Sequence, residues 1–231
     1  MKTYRHIFFD LDRTLWDLDQ NSKEVIIDLC HKYQMQQRCA TDFDHFYEVY
    51  QQINHDLWED YRNGKVEKDF LSVERFHASF LHFGLDDRDL AASFGADYLK
   101  FSPFKNRLIS GTHELLQYLS KKYKLHIITN GFDEVQTIKI RQSNLEPYFD
   151  QVIISEHTPW KKPSPEIFRY SLQQAGAKAD ESIMIGDDLR ADIQGAAAVG
   201  MDQIWTSFDH SQVAYKPTYT VYNLLQIKEI L

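Results

Sequence analysis

The chain has 231 residues, 43% of them hydrophobic and 14% aromatic, enough to bury at least one full core in one domain or two. Its formal net charge of −8 argues against a nucleic-acid polymer or an anionic membrane surface as partner, since both require a basic field. Cys30 and Cys39, the only cysteines, form neither a ligand pair nor a disulfide framework, which points to a reducing compartment.

The opening MKTYRHIFFD is basic, but its apolar run stops at an aspartate. No later stretch approaches the roughly 20 apolar residues of a membrane span, so a cytoplasmic protein is expected. YRHIFFD reads as a buried strand ending at Asp10. Residues 19–101 carry no strand-like run. There Phe43, Tyr47, Tyr50, Ile53, Leu57 and Tyr61 recur at three- and four-residue steps, as on one face of a long helix. Phe70, Val73, Phe76, His77 and Phe80 mark another helix, with Gly84 as its stop. About four helices packed as a bundle are expected, with hinges near 15–19 and 100–106.

Beyond the second hinge the apolar runs KLHIITNG (124–131), QVIIS (151–155), SIMIGDD (182–188) and DQIWT (202–206) alternate with helical stretches at 111–122, 133–143, 164–175 and 190–199. Pro165 suits a first helical turn and Gly176 lies just past that helix's end. Continuous apolar strands alternating with helices predict a doubly wound parallel sheet of the Rossmann-like α/β class. The expected organisation is an α/β core over 1–16 and 103–231, with an inserted all-helical domain over 17–102.

In such sheets the binding crevice lies beyond the carboxyl ends of the strands. The unusual polar residues stand there: Asp10, Asp12 and Thr14; Thr129, Asn130 and Gly131; Asp187, Asp188 and Asp192. Gathered acids repel one another unless a cation lies among them, and a hard cation with oxygen ligands fits best. Magnesium is the first expectation. Because magnesium is usually completed by waters and a substrate phosphate, phosphoryl chemistry follows.

DLDRT, TNG, KPSPEIF and GDDLRAD, in this order and at these strand ends, resemble the four motifs of the haloacid dehalogenase superfamily of phosphohydrolases. The helical insertion resembles that superfamily's helical cap. TLWDLDQNS and INHDLWEDYRNGKV further resemble its branch of pyrimidine 5′-nucleotidases thought to remove noncanonical nucleotides. The resemblance implies a magnesium-dependent phosphomonoester hydrolase acting on nucleoside monophosphates. In it Asp10 is the nucleophile that becomes an aspartyl-phosphate, and Asp12 the acid and base. Thr129, Asn130 and Gly131 hold the phosphoryl oxygens, and Lys162, which directly precedes the first proline of its motif, neutralises charge. Asp10, Asp187 and the Asp12 backbone carbonyl hold the metal, with Thr14 and Asp192 in support.

Blander roles stand beside these. The Phe and Tyr stripe reads as bundle core, and Asp188 as equally suited to cap a helix or touch the metal. Asp17 and Asp19 read as a helix start. Asn54, Trp58 and Arg62, recurring every four residues, and Trp16, beside the nucleophile, are candidate substrate contacts. Arg13 stands where many relatives have glycine, which points either to branch identity or to a contact with the cap. A sugar-phosphate phosphatase or a phosphoglucomutase-like transferase shares the phosphoaspartate and is the alternative enzyme. A metal-free dehalogenase lacks the second acid of DLD. A non-enzymatic phosphoacceptor module is the alternative of another class, but Asp12 would destroy a lasting phosphoaspartate. Oligomeric state is not legible in the sequence.

Overall fold

The computed structural model describes residues 3–210 and 214–231. Its sheet contains β1 (His6–Phe9), β2 (Lys124–Thr129), β3 (Phe149–Ile154), β4 (Ser182–Gly186), β5 (Asp202–Thr206) and β6 (Tyr219–Val221) in the order β3-β2-β1-β4-β5-β6. All neighbouring pairs are parallel. The sheet is therefore doubly wound, as the sequence predicts, with β1 and β4 side by side where the strand order reverses. β6 has no counterpart in the sequence reading. It is three residues long and two of them are exposed, so it lacks the apolar run that marks the other strands.

Burial on both faces explains those runs. Ile7 and Phe9 of β1 pack into a cluster with Leu115, Leu116 and Ile140 on one face. Phe8 points to the other, among Ile167, Phe168 and Met184. The helices supplying these residues are α6 (Thr112–Leu119), α7 (Asp133–Gln142) and α8 (Pro165–Ala175). Pro165 opens α8, and Gly176 follows it with φ 62°, a conformation glycine reaches without a steric penalty. The stretch expected as one helix over 190–199 is instead a π-helical turn, Leu189–Gln194, followed by a short helical segment. Asp188 starts it, its carboxylate accepting from the amides of Arg190 and Ala191. The wide turn lets the Asp192 carboxylate reach back to Lys162 and to the Asp188 amide.

The chain divides into two compact units, Met1–Leu18 with Asn106–Leu231, and Asp19–Lys105. The second unit holds α1 (Leu18–Lys32) from Asp19 on, α2 (Met35–Arg38), α3 (Phe43–Arg62), α4 (Lys68–His82) and α5 (Arg88–Phe101). Asp42 and Asp87 cap α3 and α5 by accepting from the amides of His45 and Leu90. Its core is aromatic. Phe76 stacks on Tyr50 at 5.3 Å between ring centres and packs on Phe94 at 4.8 Å. Phe70, expected on the inner face of α4, is 42% exposed. It lies six positions before Phe76, about a third of a turn off that face, and Leu71 is buried instead. Among the described residues no helix is long and apolar enough to cross a membrane.

Candidate active site

The predicted residues of the core converge beyond the carboxyl ends of β1, β2 and β4. The Asp10 amide donates to Ile185 O of β4 at 2.9 Å, which anchors the end of β1 beside β4. Lys162, in the loop before α8, is 2% exposed and places Nζ 2.5 Å from Asp10 Oδ1 and 2.7 Å from Asp192 Oδ1. Asn130 fixes that lysine's backbone from both sides. Its Oδ1 accepts from Lys162 N and its Nδ2 donates to Lys162 O, each at 2.9 Å. Asn130 therefore positions Lys162. Lys161, the neighbour set aside by the motif, is only half-buried.

Asp10, Asp187 and Asp192 each bring one carboxylate oxygen to within 4.8 Å of the others. Thr14, fully buried, donates to Asp187 Oδ1 at 3.3 Å, and the Trp205 indole donates to Asp187 O at 2.8 Å. Gly186 is part of the same fit: a Cβ there would run into the Asp192 side chain. Asp188 Oδ1 accepts from the capping amides of Arg190 and Ala191, the helix-capping role among its two sequence readings.

Charge in this cluster exceeds what Lys162 cancels. Burial first, then the charges of Asp192 and Asp12, push the Asp10 carboxyl up to about 7 against the pull of Lys162. Burial together with Asp10 and Asp192 holds Asp187 well above the usual carboxylate range, with Arg13 pulling the other way. Asp192 is raised by burial, with Lys162 opposing. For Lys162 burial disfavours the ammonium, but Asp10 and Asp192 outweigh it and raise its pKa. Three oxygen-donor carboxylates with surplus negative charge and no thiolate among them suit a hard divalent cation. The residues present thus fit a magnesium ion.

Asp12 belongs to a different neighbourhood. Its Oδ1 accepts from Lys139 Nζ at 2.6 Å and its Oδ2 from Gln136 Nε2 at 2.8 Å. Both partners are on the inner face of α7, at i and i+3. Sequence reasoning missed them, although Val135 and Ile140 mark that face and a glutamine and a lysine on it are out of place in a core. Gln136 Nε2 also donates to Thr129 Oγ1 at 2.6 Å, and Gly131 N donates to the same oxygen at 3.2 Å. With its lone pairs taken, the Thr129 hydroxyl has its own hydrogen left to donate.

Trp16 was expected at a pocket mouth and is fully buried instead, packed among Leu11, Leu15 and Leu115 with Lys139 Nζ 4.0 Å from its ring centre. A cation over a buried indole is a stabilising contact that leaves this ring face no room for a ligand. Arg13 has φ 62°, the left-handed region where glycine is the easiest occupant, which explains the glycine of many relatives and not the arginine here. Asn54 and Trp58 lie half-buried on α3 in the helical unit. There Asn54 Oδ1 accepts from Arg75 Nη1 at 3.5 Å, and Trp58 packs edge-on against Tyr61 at 5.5 Å.

Residues 7–206 match the model of the haloacid dehalogenase-like hydrolase family. The pyrimidine 5′-nucleotidase PynA of Streptococcus pneumoniae is 35% identical over 233 residues, covering 99% of this chain and 95% of that one. The pyrimidine 5′-nucleotidase YjjG of Escherichia coli is 31% identical over 232 residues, covering 97% and 96%. The crystal structure of the HAD-hydrolase YfnB of Bacillus subtilis bound to magnesium superposes with a TM-score of 0.91 at 29% identity, over 99% of each chain. Four motifs in order, a matching fold and relatives similar along the full length lead to one assignment: the chain belongs to the haloacid dehalogenase-like hydrolase family.

Proposed function

We propose that this hydrolase is a magnesium-dependent phosphomonoesterase working through an aspartyl-phosphate on Asp10, with pyrimidine nucleoside 5′-monophosphates as its preferred substrates. The observation that carries the mechanism is Asp10 itself: a carboxylate at the end of β1 bonded to the buried Lys162, with the carboxylates of Asp187 and Asp192 beside it. The substrate class rests on the two full-length relatives named as pyrimidine 5′-nucleotidases.

Asp10 attacks phosphorus as the ester P–O bond breaks, and Asp12 gives its proton to the departing 5′-oxygen. Asp12 then takes a proton from water as that water attacks the phosphoaspartate, releasing phosphate and restoring Asp10. The Thr129 hydroxyl and Lys162 supply positive ends to the phosphoryl oxygens, whose charge is shared among them in transfer. Magnesium, held by Asp10, Asp187 and the Asp12 backbone carbonyl, would neutralise the phosphoryl charge, with Asp192 supporting Lys162.

The test is phosphate release with magnesium over a panel of ribo- and deoxynucleoside monophosphates, modified pyrimidine nucleotides and sugar phosphates, with Asp10→Asn as the blank. A pyrimidine monophosphate leading the panel, with activity lost in chelator and regained on adding magnesium, is the expected result. Sugar phosphates leading would keep the mechanism and overturn the substrate class; an active Asp10→Asn would overturn the mechanism.

A further inference from the structure

We infer that Gln136 and Lys139 are positioning residues for the acid and base Asp12, and that Gln136 at the same time aims the Thr129 hydroxyl at the phosphoryl group. The inference rests on the roles proposed above for Asp12 and Thr129.

Lys139 is 4% exposed and Gln136 is fully buried, so both have left water for specific partners. A buried ammonium is costly unless paired, and Lys139 is paired twice, with Asp12 Oδ1 and with the face of the Trp16 ring. Gln136 Nε2 spends its donors on Asp12 Oδ2 and Thr129 Oγ1, tying the acid and base to the phosphoryl-binding hydroxyl through one nitrogen. Both Asp12 oxygens are thereby oriented, while each keeps a lone pair on which a proton can be carried. Gly131 shows that the place is built for this purpose: a Cβ there would occupy the volume of the Gln136 side chain. Hence the glycine after Thr129-Asn130 makes room for Gln136. Trp16 has an indirect role, since its ring fixes where Lys139 lies.

A positioning role differs from a merely structural one in how it depends on the leaving group. A nucleoside 5′-oxygen is a poor leaving group and needs the Asp12 proton as the P–O bond breaks. p-Nitrophenolate is a stable anion and does not. Single-turnover release of uridine from uridine 5′-monophosphate and of nitrophenolate from p-nitrophenyl phosphate, with magnesium, separates the two.

Lys139→Met should lose about 10²-fold on uridine 5′-monophosphate, as expected for a misplaced catalytic group, and under about 3-fold on p-nitrophenyl phosphate. Gln136→Met should show the same selectivity and, because Thr129 also loses its aim, a raised KM for both substrates. Gln136→Met carries the test alone if Lys139→Met does not fold. Equal losses on the two substrates, or no loss on either, overturn the inference. A wild-type chain that releases neither uridine nor nitrophenolate overturns the phosphatase reading instead.

Discussion

Lys162 and Asp10, 152 positions apart in sequence, meet through a 2.5 Å bond between Nζ and Oδ1, and both are buried. The lysine also serves Asp192, so one ammonium sits between two carboxylates that would otherwise repel. Removing it should cost both stability and rate. Lys162→Met leaves two buried carboxylates without their counter-charge and should lower stability by about 3 kcal/mol, measured by urea unfolding at neutral pH. Phosphate release should fall by at least about 10²-fold, since a charge aimed at the phosphoryl oxygens is gone. Lys161→Met should change neither greatly. Equal effects at the two positions would remove Lys162 from the mechanism.

Gly131→Ala tests how closely the strand-end loop fits Gln136. The glycine φ is not in the left-handed region, so the added methyl acts through contact alone and pushes the Gln136 amide off Asp12 and Thr129. Stability should fall by about 1 kcal/mol and kcat by about tenfold, from overpacking and from misplacement respectively. The double variant Gly131→Ala with Gln136→Ala should be no slower than Gln136→Ala alone, because the clash has been removed. Additive losses in steady-state kinetics would show that the methyl acts elsewhere.

His6 and His126 stack on adjacent strands with Nδ1 and Nε2 3.1 Å apart. Burial lowers both, and His6 adds to the lowering of His126, which reaches about 4 against the opposing pull of Asp150. An imidazole held below its unfolded value binds fewer protons folded than unfolded, so stability is complete above about 6.5 and is lost as pH falls toward 4. His126→Leu should flatten that decline by about 2 kcal/mol between pH 7 and pH 5, read from unfolding curves at each pH. An unchanged slope would assign the acid sensitivity to other groups. Lys124 and Arg5 also lower His6, and Glu181 raises it, so Lys124→Gln should move the midpoint less than His126→Leu does.

Much of this was open to a reader of the sequence. Phe8 and Ile128 stand in continuous apolar runs because each strand is covered on both faces, and continuous runs distinguish such strands from half-exposed ones. Asp10, Thr129 and Asp187 announce themselves because polar residues at the ends of such runs have few structural reasons to be there, whereas Lys162, in the loop before α8, is picked out by its motif alone. Gln136 and Lys139 do not announce themselves. On α7 they look like two more polar residues of a helix with little amphipathic contrast, and only their burial shows that the helix turns them inward. Trp16 misleads for the opposite reason: proximity in sequence to the nucleophile suggests a ligand contact, while packing buries its ring under Lys139.

The chain by itself determined the alternation of strand and helix, the helical insertion, and the order of the four motifs, because periodicity and local turn chemistry depend on neighbours within a few residues. Only the tertiary structure decided which carboxylates share a cluster, that Asp188 caps a helix, and that Asp12 answers to α7 rather than to the acids beside Asp10. Those outcomes depend on β1 lying between β2 and β4, a pairing fixed by contacts between segments more than a hundred residues apart, which no local pattern records.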